Sequence, residues 1–194
     1  MALVAEKLAP TRSGSGPSDA ALVVSARSGE MWAKEALFRR HAQMANGLAF
    51  RLMGREQDVD DLVQEAFTQA LTGLARLENP QAFQSWLCGI LVRTAYKTLR
   101  RRRLLSRLGF QTIDPIELEA IAHRDAPPDV VRELKEIYAR IEKLPPDLRV
   151  ALVLRRVEGM RHEEIAQATE TSIATVKRKI AKAEEILGIG EGDP

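Results

Sequence analysis

The stretch Phe83 to Arg103, FQSWLCGILVRTAYKTLRRRR, decides how this chain is read. Its apolar residues Phe83, Trp86, Leu87, Ile90, Leu91, Ala95 and Leu99 recur at three- and four-residue steps. That spacing puts them on one face of an amphipathic helix with its apolar side buried. From Arg93 onward the other face gathers Arg93, Lys97, Arg100, Arg101, Arg102 and Arg103, and no acid occurs between Gln81 and Phe110. With Arg107 the segment carries seven positive charges on a fixed platform, which suits a polyanion.

The sequence just before it has the opposite character. Arg55 to Leu77 repeats apolar residues at Val59, Leu62, Val63, Ala66, Phe67, Ala70, Leu71 and Leu74, again at helical spacing. Its outer face carries Glu56, Asp58, Asp60, Asp61 and Glu65, five carboxylates in ten residues with no base among them. The positive end of a helix dipole favours acids in the first turn, and this accounts for the first two. The others form either a solvated face or a surface for a basic partner. Between the two helices, Glu78 to Ala82 is a turn, because the residue before Pro80 is pushed out of the helical region.

Upstream, Asp19 can cap a short helix AALVVSARSG, and Trp32 to Leu52 keeps helical spacing as far as Gly54. No alternating β-pattern or Asn-Gly hairpin signal occurs in the first hundred residues, so this half reads as an all-helical bundle. Met1 to Ser18, with its TRSGSGPS segment, is expected to be a flexible tail. Gln111 to Glu136 holds seven acids, three bases and the pair Pro127-Pro128, the composition of a linker, with Ile113, Ile116, Leu118 and Ile121 as its apolar residues.

A second helical pattern follows from Val130. Pro146 suits a first helical turn, Gly159 a helix C-terminus, and Ser172 or Thr171 the cap of the last helix. Ile165 and Ala166, a turn at Glu170 to Ser172, then Val176 and Ile180 make a helix-turn-helix pattern in which small Ala166 allows close crossing. The last helix exposes Thr175, Lys177, Arg178, Lys179 and Lys182, four bases without an acid from Thr171 to Ala183. Such a helix fits the major groove, its N-terminal residues near base edges and its lysines near phosphates.

Composition limits the alternatives. The 194 residues include 29 bases and 27 acids, so the formal charge is only +2 and the information lies in its segregation. An apolar content of 45% supports packed cores. The single cysteine, Cys88, excludes an internal disulfide and a zinc set, which favours a reducing compartment. No apolar run reaches the roughly 18 residues of a membrane span, and no signal-peptide stretch precedes Pro10, so a cytoplasmic protein without membrane insertion is expected. Catalysis has one foothold, His162-Glu163-Glu164, and it fails because a zinc-protease helix needs a second histidine where Ala166 stands. Without a phosphate-binding glycine loop or a nucleophile paired to histidine, no enzyme and no cofactor is expected.

In this order and at these separations, the motifs resemble the extracytoplasmic-function sigma factors of bacterial RNA polymerase, which keep only the second and fourth domains of larger sigma factors. DVDDLVQEAF at Asp58 to Phe67 looks like the family's D-x-E-D-L-V-Q-E-x-F element, AFQSWL at Ala82 to Leu87 like its −10 element, and LPPDLRVALVLRRVEGMRHEEIA with ATVKRKIAKAEEIL like its −35 domain. The resemblance implies an all-α chain of two small helical domains: a tail at 1–18, domain 2 at 19–104, a linker at 105–129, domain 4 at 130–188 and a tail at 189–194. It also implies polymerase contacts at Asp58, Asp61, Leu62, Gln64 and Glu65, toward the β′ clamp helices and, for domain 4, the β flap. Promoter −10 DNA would meet Asn79, Gln81, Gln84, Arg93, Lys97, Arg100 and Arg101, and −35 DNA would meet Ser172, Thr175, Lys177, Arg178 and Lys182. An anti-sigma factor is a further implied partner.

Departures from the family pattern fall at defined places. Glu170 stands where a glycine is usual in the helix-turn-helix turn, Arg161 replaces a serine or threonine cap, and Ala174 replaces a glycine at the start of the last helix. The Glu78 to Gln81 loop lacks the common glycine, so its choice of −10 base is its own. Trp86 and Phe83 read as core side chains rather than stacking platforms. A free-standing helix-turn-helix regulator is the competing reading, and it leaves the acidic Asp58 to Phe67 element unexplained.

Overall fold

The computed structural model describes residues 16–109 and 128–189. Most of the expected N-terminal tail, nearly all of the acidic linker, with Ile113, Ile116, Leu118 and Ile121, and residues 190–194 lie outside the described residues. Within them the chain is all-α, as its periodicity predicts, and no strand occurs among the described residues.

The first four helices are α1 (Asp19–Arg27), α2 (Met31–Met53), α3 (Val59–Thr72) and α4 (Phe83–Arg107). Each buries most of the apolar stripe that its sequence spacing defines, Trp32 at the start of α2 being the exception at 51% exposed. Leu22 and Val23 of α1, Leu37 and Leu52 of α2, Ala66 and Phe67 of α3, and Phe83, Leu87 and Leu91 of α4 are all at or near zero exposure. The second four are α5 (Pro128–Glu142), α6 (Pro146–Arg156), α7 (His162–Thr169) and α8 (Ile173–Leu187). Their centre is Val150, Leu154, Ile165, Val176 and Ala183. Helix α4 packs on α7 and α6, and α2 reaches α6, so the buried residues of both halves form one continuous cluster. The sequence announces two modules; the structure seats one on the other.

Capping follows local chemistry with one correction. Ser18, not Asp19, caps α1, its Oγ accepting the Ala21 N–H at 3.3 Å. Asp19 occupies the first helical position and points across to α2, where Oδ2 meets Nε2 of His41 at 2.9 Å and Oδ1 accepts from Arg40 at 2.7 Å. Pro146 begins α6 as its fixed φ predicts. Gly54 ends α2 at φ 70°, a left-handed conformation in which glycine meets no Cβ penalty.

His41 is 5% exposed and its ring lies 5.3 Å from that of Phe83, centroid to centroid. Burial, its largest influence, lowers its pKa below the ordinary 6.5; Asp19 opposes that shift and Arg40 adds to it. The unfolded chain therefore binds more protons than the folded chain between the two values, and stability rises with pH through that window. We expect thermal stability to fall as pH drops from above 6.5 to below it, and the fall to be smaller in His41→Gln. Equal pH slopes for the two chains would remove His41 as the cause. Cys88, beside Met44 with Sγ and Sδ 3.6 Å apart, is pushed up by burial to about 11 and is an inert thiol at neutral pH.

Candidate nucleic-acid interface

Helix α3 presents its acids as the amphipathic pattern requires. Val59, Leu62, Val63, Ala66, Phe67 and Ala70 turn inward, and Asp60, Asp61, Gln64 and Glu65 are exposed on the opposite side. Glu65 accepts a hydrogen bond from Nε2 of Gln69 at 3.0 Å, one turn on, which leaves Asp61 and Gln64 as the more open groups. Two sequence-level candidates are placed differently. Leu62 is 3% exposed and lies beneath this face, so it can serve a partner only by holding the helix. Asp58 is engaged inside the protein in a two-pronged ion pair with Arg102 of α4, its side chain 12% exposed. The same contact removes Arg102 from the set of outward arginines.

The turn before α4 is built on Asn79. Its Oδ1 accepts the Gln81 N–H at 3.0 Å and caps the short 3-10 turn Pro80–Ala82, so one of its two polar atoms is committed to the backbone. Gln81 and Gln84 are exposed beside it. Phe83 is fully buried and Trp86 half-buried, their ring centroids 6.3 Å apart, as core side chains rather than open platforms. A residue that sequence reasoning passed over holds this loop from behind. Arg27, at the end of α1, donates from Nε to the Leu74 carbonyl at 3.1 Å and from Nη2 to the Leu77 carbonyl. The Leu74 carbonyl already accepts the Leu77 N–H at 3.1 Å, so Arg27 adds a second donor there and supplies one to the Leu77 carbonyl where the 3-10 turn Leu74–Arg76 ends. A lone arginine closing an amphipathic helix gives no local sign of such a task.

Along α4, Lys97, Arg100 and Arg101 are exposed. Arg93 is not: α7 lies across it, its Nη1 donating to the Ala168 carbonyl at 3.4 Å and pairing with Glu170 at 3.3 Å. The crossing is close because Gly89 faces Ala168. A Cβ on Gly89 would stand 3.8 Å from the Ala168 Cα and 3.1 Å from Nη1 of Arg93. Two further ion pairs span the halves: Arg51 Nη2 to Glu158 Oε2 at 3.0 Å, and Arg55 to Glu142 at 2.9 Å. A −10 candidate and the helix-turn-helix turn therefore sit on each other.

The turn itself keeps Glu170 in the left-handed region, at φ 53° and ψ 43°, the one positive-φ residue other than glycine among the described residues. That conformation costs a non-glycine residue roughly 1–2 kcal/mol. Its backbone is satisfied, for the N–H groups of Glu170 and Thr171 donate to Gln167 and Ala166, which is how a glycine there would end the helix. Arg161 offers no hydroxyl to cap α7, and Glu164 reaches back instead, accepting the Arg161 N–H at 2.7 Å. This bond holds the Glu164 carboxyl below its ordinary pKa.

Helix α8 starts at Ser172, whose Oγ accepts the Thr175 N–H at 3.2 Å and lies 2.9 Å from the Thr175 hydroxyl. Lys177, Arg178 and Lys182 are exposed, Lys182 bonding to Glu185 at 2.9 Å. Lys179 leans toward Asp147, 3.7 Å away, and turns from that surface. Lys177 and Arg178 therefore form the open cationic pair of a helix held at its N-terminus and along its buried stripe.

This order of modules has known counterparts. The family described as Sigma-70 region 2 matches residues 37–104, and that described as Sigma-70, region 4, matches residues 134–187. The ECF RNA polymerase sigma-E factor of Escherichia coli K12 is 34% identical over 181 residues, covering 88% of this chain and 92% of that protein. This chain is an ECF sigma factor of the sigma-70 family. A sigma factor SigE of Mycolicibacterium smegmatis is 29% identical over 155 residues, 78% of this chain and 58% of its own. Among solved structures, CnrH in complex with the cytosolic domain of CnrY has a TM-score of 0.58 at 28% identity, covering 89% of this sigma-family chain and 96% of that one. The sigma factor RpoE of Bartonella quintana, solved with the anti-sigma factor NepR, has a TM-score of 0.62 at 20% identity over 81% of this chain and 98% of that one, a likeness of fold. The family assignment agrees with the sequence reading. No helix among the described residues is long and apolar enough to cross a membrane.

Proposed function

We propose that this protein binds core RNA polymerase, recognises the −35 and −10 elements of a promoter and promotes opening of the DNA, without itself catalysing a reaction. One observation carries the reading: a single chain presents an outward acidic face on α3 and separate outward basic faces on α4 and α8. In this reading the modules are 19–104 and 130–188. Asp61, Gln64 and Glu65 dock on the β′ clamp helices and the second module on the β flap. Ser172 and Thr175 approach base edges while Lys177, Arg178 and Lys182 hold −35 phosphates. Lys97, Arg100 and Arg101 grip the −10 backbone, and the Asn79, Gln81 and Gln84 amides enclose a base drawn from the stack, an extrusion that costs a few kcal/mol.

The seated arrangement of the two halves is then a form that must open. Arg93, 31% exposed, is engaged by Ala168 and Glu170 and must give up those contacts to hold a phosphate. An anti-sigma factor is a natural partner for such a form, since the RpoE structure is of a sigma factor bound to an anti-sigma factor. Action in the cytoplasm follows from the promoter target.

The test is transcription from a genomic fragment library by core polymerase with and without the protein, mapping transcript starts. New starts sharing two spaced elements are expected. Unchanged starts, together with duplex binding that needs no polymerase, would favour a free-standing regulator. On the −35 duplex, the double substitution Lys177→Ala with Arg178→Ala should weaken binding and reduce the slope of log K against log salt by roughly 2, about 0.9 for each lost phosphate contact. An unaltered slope would take these two residues off the DNA.

A further inference from the structure

Where the end of α2, the last turns of α4 and the α5–α6 junction meet, they line an open-sided cavity of about 370 Å³. Its charged lining is mostly basic: Arg55, Arg102, Arg103, Lys143 and Arg149, against the acids Asp58 and Glu142. Both acids are already paired, Asp58 with Arg102 and Glu142 with Arg55 at 2.9 Å, although Glu142 also attracts Arg149 through space. The lining therefore carries three more positive charges than negative ones.

Arg149 is the telling one. It is 4% exposed, and its Nε and Nη2 are buried with no hydrogen-bond partner among the described residues. A buried guanidinium is ordinarily paired, because removing its charge from water is costly unless an anion or acceptor faces it. Burial lowers its pKa to about 10, so it is still charged at neutral pH. An arginine in this state, at the wall of a cavity whose lining has an excess of positive charge, is half of an interaction.

We propose that this cavity binds a compact multivalent anion of the diphosphate class, with Arg149 at its buried wall and Arg103 and Lys143 completing the charge match. Guanidinium groups present paired donors that fit phosphate oxygens, and lysine adds a mobile point charge. The volume lies within the range of small-molecule sites, about 300–1,000 Å³. An excess of three positive charges suits a diphosphate better than a single carboxylate. Because the lining comes from both halves, the bound anion also ties them together. None of this depends on the promoter reading, and the test needs no polymerase or DNA.

The experiment is calorimetric titration of the full chain with inorganic pyrophosphate at constant ionic strength, alongside thermal unfolding over the same concentrations. Saturable binding is expected, with a Tm that climbs with ligand concentration as mass action requires. Arg149→Met should lower the affinity at least tenfold, and Lys143→Gln, at an exposed position that leaves the core intact, several-fold. A parallel titration with ADP separates the sources: binding equal to or tighter than pyrophosphate points to a nucleotide, weaker binding to the free anion. Absence of saturation in the unaltered chain overturns the proposal, as does wild-type affinity in both variants. So does binding that occurs only after Asp114, Glu117, Glu119 and Asp125 are neutralised, because the cavity would then serve the chain's own acidic segment.

Discussion

Asp61→Arg should abolish promoter-directed transcription by core polymerase while leaving the fold and the binding of −35 duplex intact. The substitution puts a positive charge where the proposed contact meets a basic surface. A reversed charge at a docking centre costs about 2–5 kcal/mol, a loss of roughly 30- to several-thousand-fold in affinity. Stability should change little, because Asp61 is exposed and apart from the buried stripe of α3. Its one structural role is to favour the helix dipole from the first turn, worth about 0.3–1 kcal/mol. Asp58 would be a poor choice for this experiment, since removing it would leave Arg102 without its partner. Native-like circular dichroism with unimpaired polymerase binding would show that this face of α3 is not the docking surface.

Phe83→Ala should produce the largest loss of stability of any single change in the first four helices. The side chain is fully buried, begins α4 directly after the Asn79 to Ala82 turn, and lies between His41 and Trp86. Truncating a buried phenylalanine costs about 3–5 kcal/mol, from lost transfer energy and the cavity left behind. Against a total stability of about 5–15 kcal/mol, that is a large share. Urea denaturation should show the midpoint fall with the slope unchanged. The functional consequence is local as well, because the loop offered to the −10 base would lose its anchor on one side and keep only Arg27 on the other. A loss under about 1 kcal/mol would mean that the pocket closes around the deletion and that the loop is held elsewhere.

The placement of many candidate site residues was legible in the sequence. The exposed positions Asp61, Gln64 and Glu65 on α3, and Lys177, Arg178 and Lys182 on α8, follow from helical period alone, since each stands opposite an apolar stripe. Ser172 was legible as a cap because a hydroxyl before an apolar run has one obvious use. Asp19 misled for a related reason: Ser18 beside it is an equally good cap, and only a histidine arriving from α2 decided between them. Leu62 was grouped with a contact face because it sits inside a motif of outward acids, although its own position in the period faces inward.

What the amino-acid order determined by itself is the set of helices, many of their ends and the charge on each outer face, because period, capping and proline or glycine breaks act within a few residues. The Arg55 to Leu77 repeat is an exception, α3 running only from Val59 to Thr72 with a 3-10 turn on either side. What only the tertiary structure decided is which charge meets which. Asp58 and Arg102 are 44 positions apart, and Arg51 and Glu158 are 107 apart. Arg93 is drawn against α7, and Nε and Nη2 of Arg149 are buried without a partner among the described residues, beside a basic cavity. No local period carries such information. It arises when packed apolar faces fix the helices against one another and so leave each long side chain with the few neighbours it can reach.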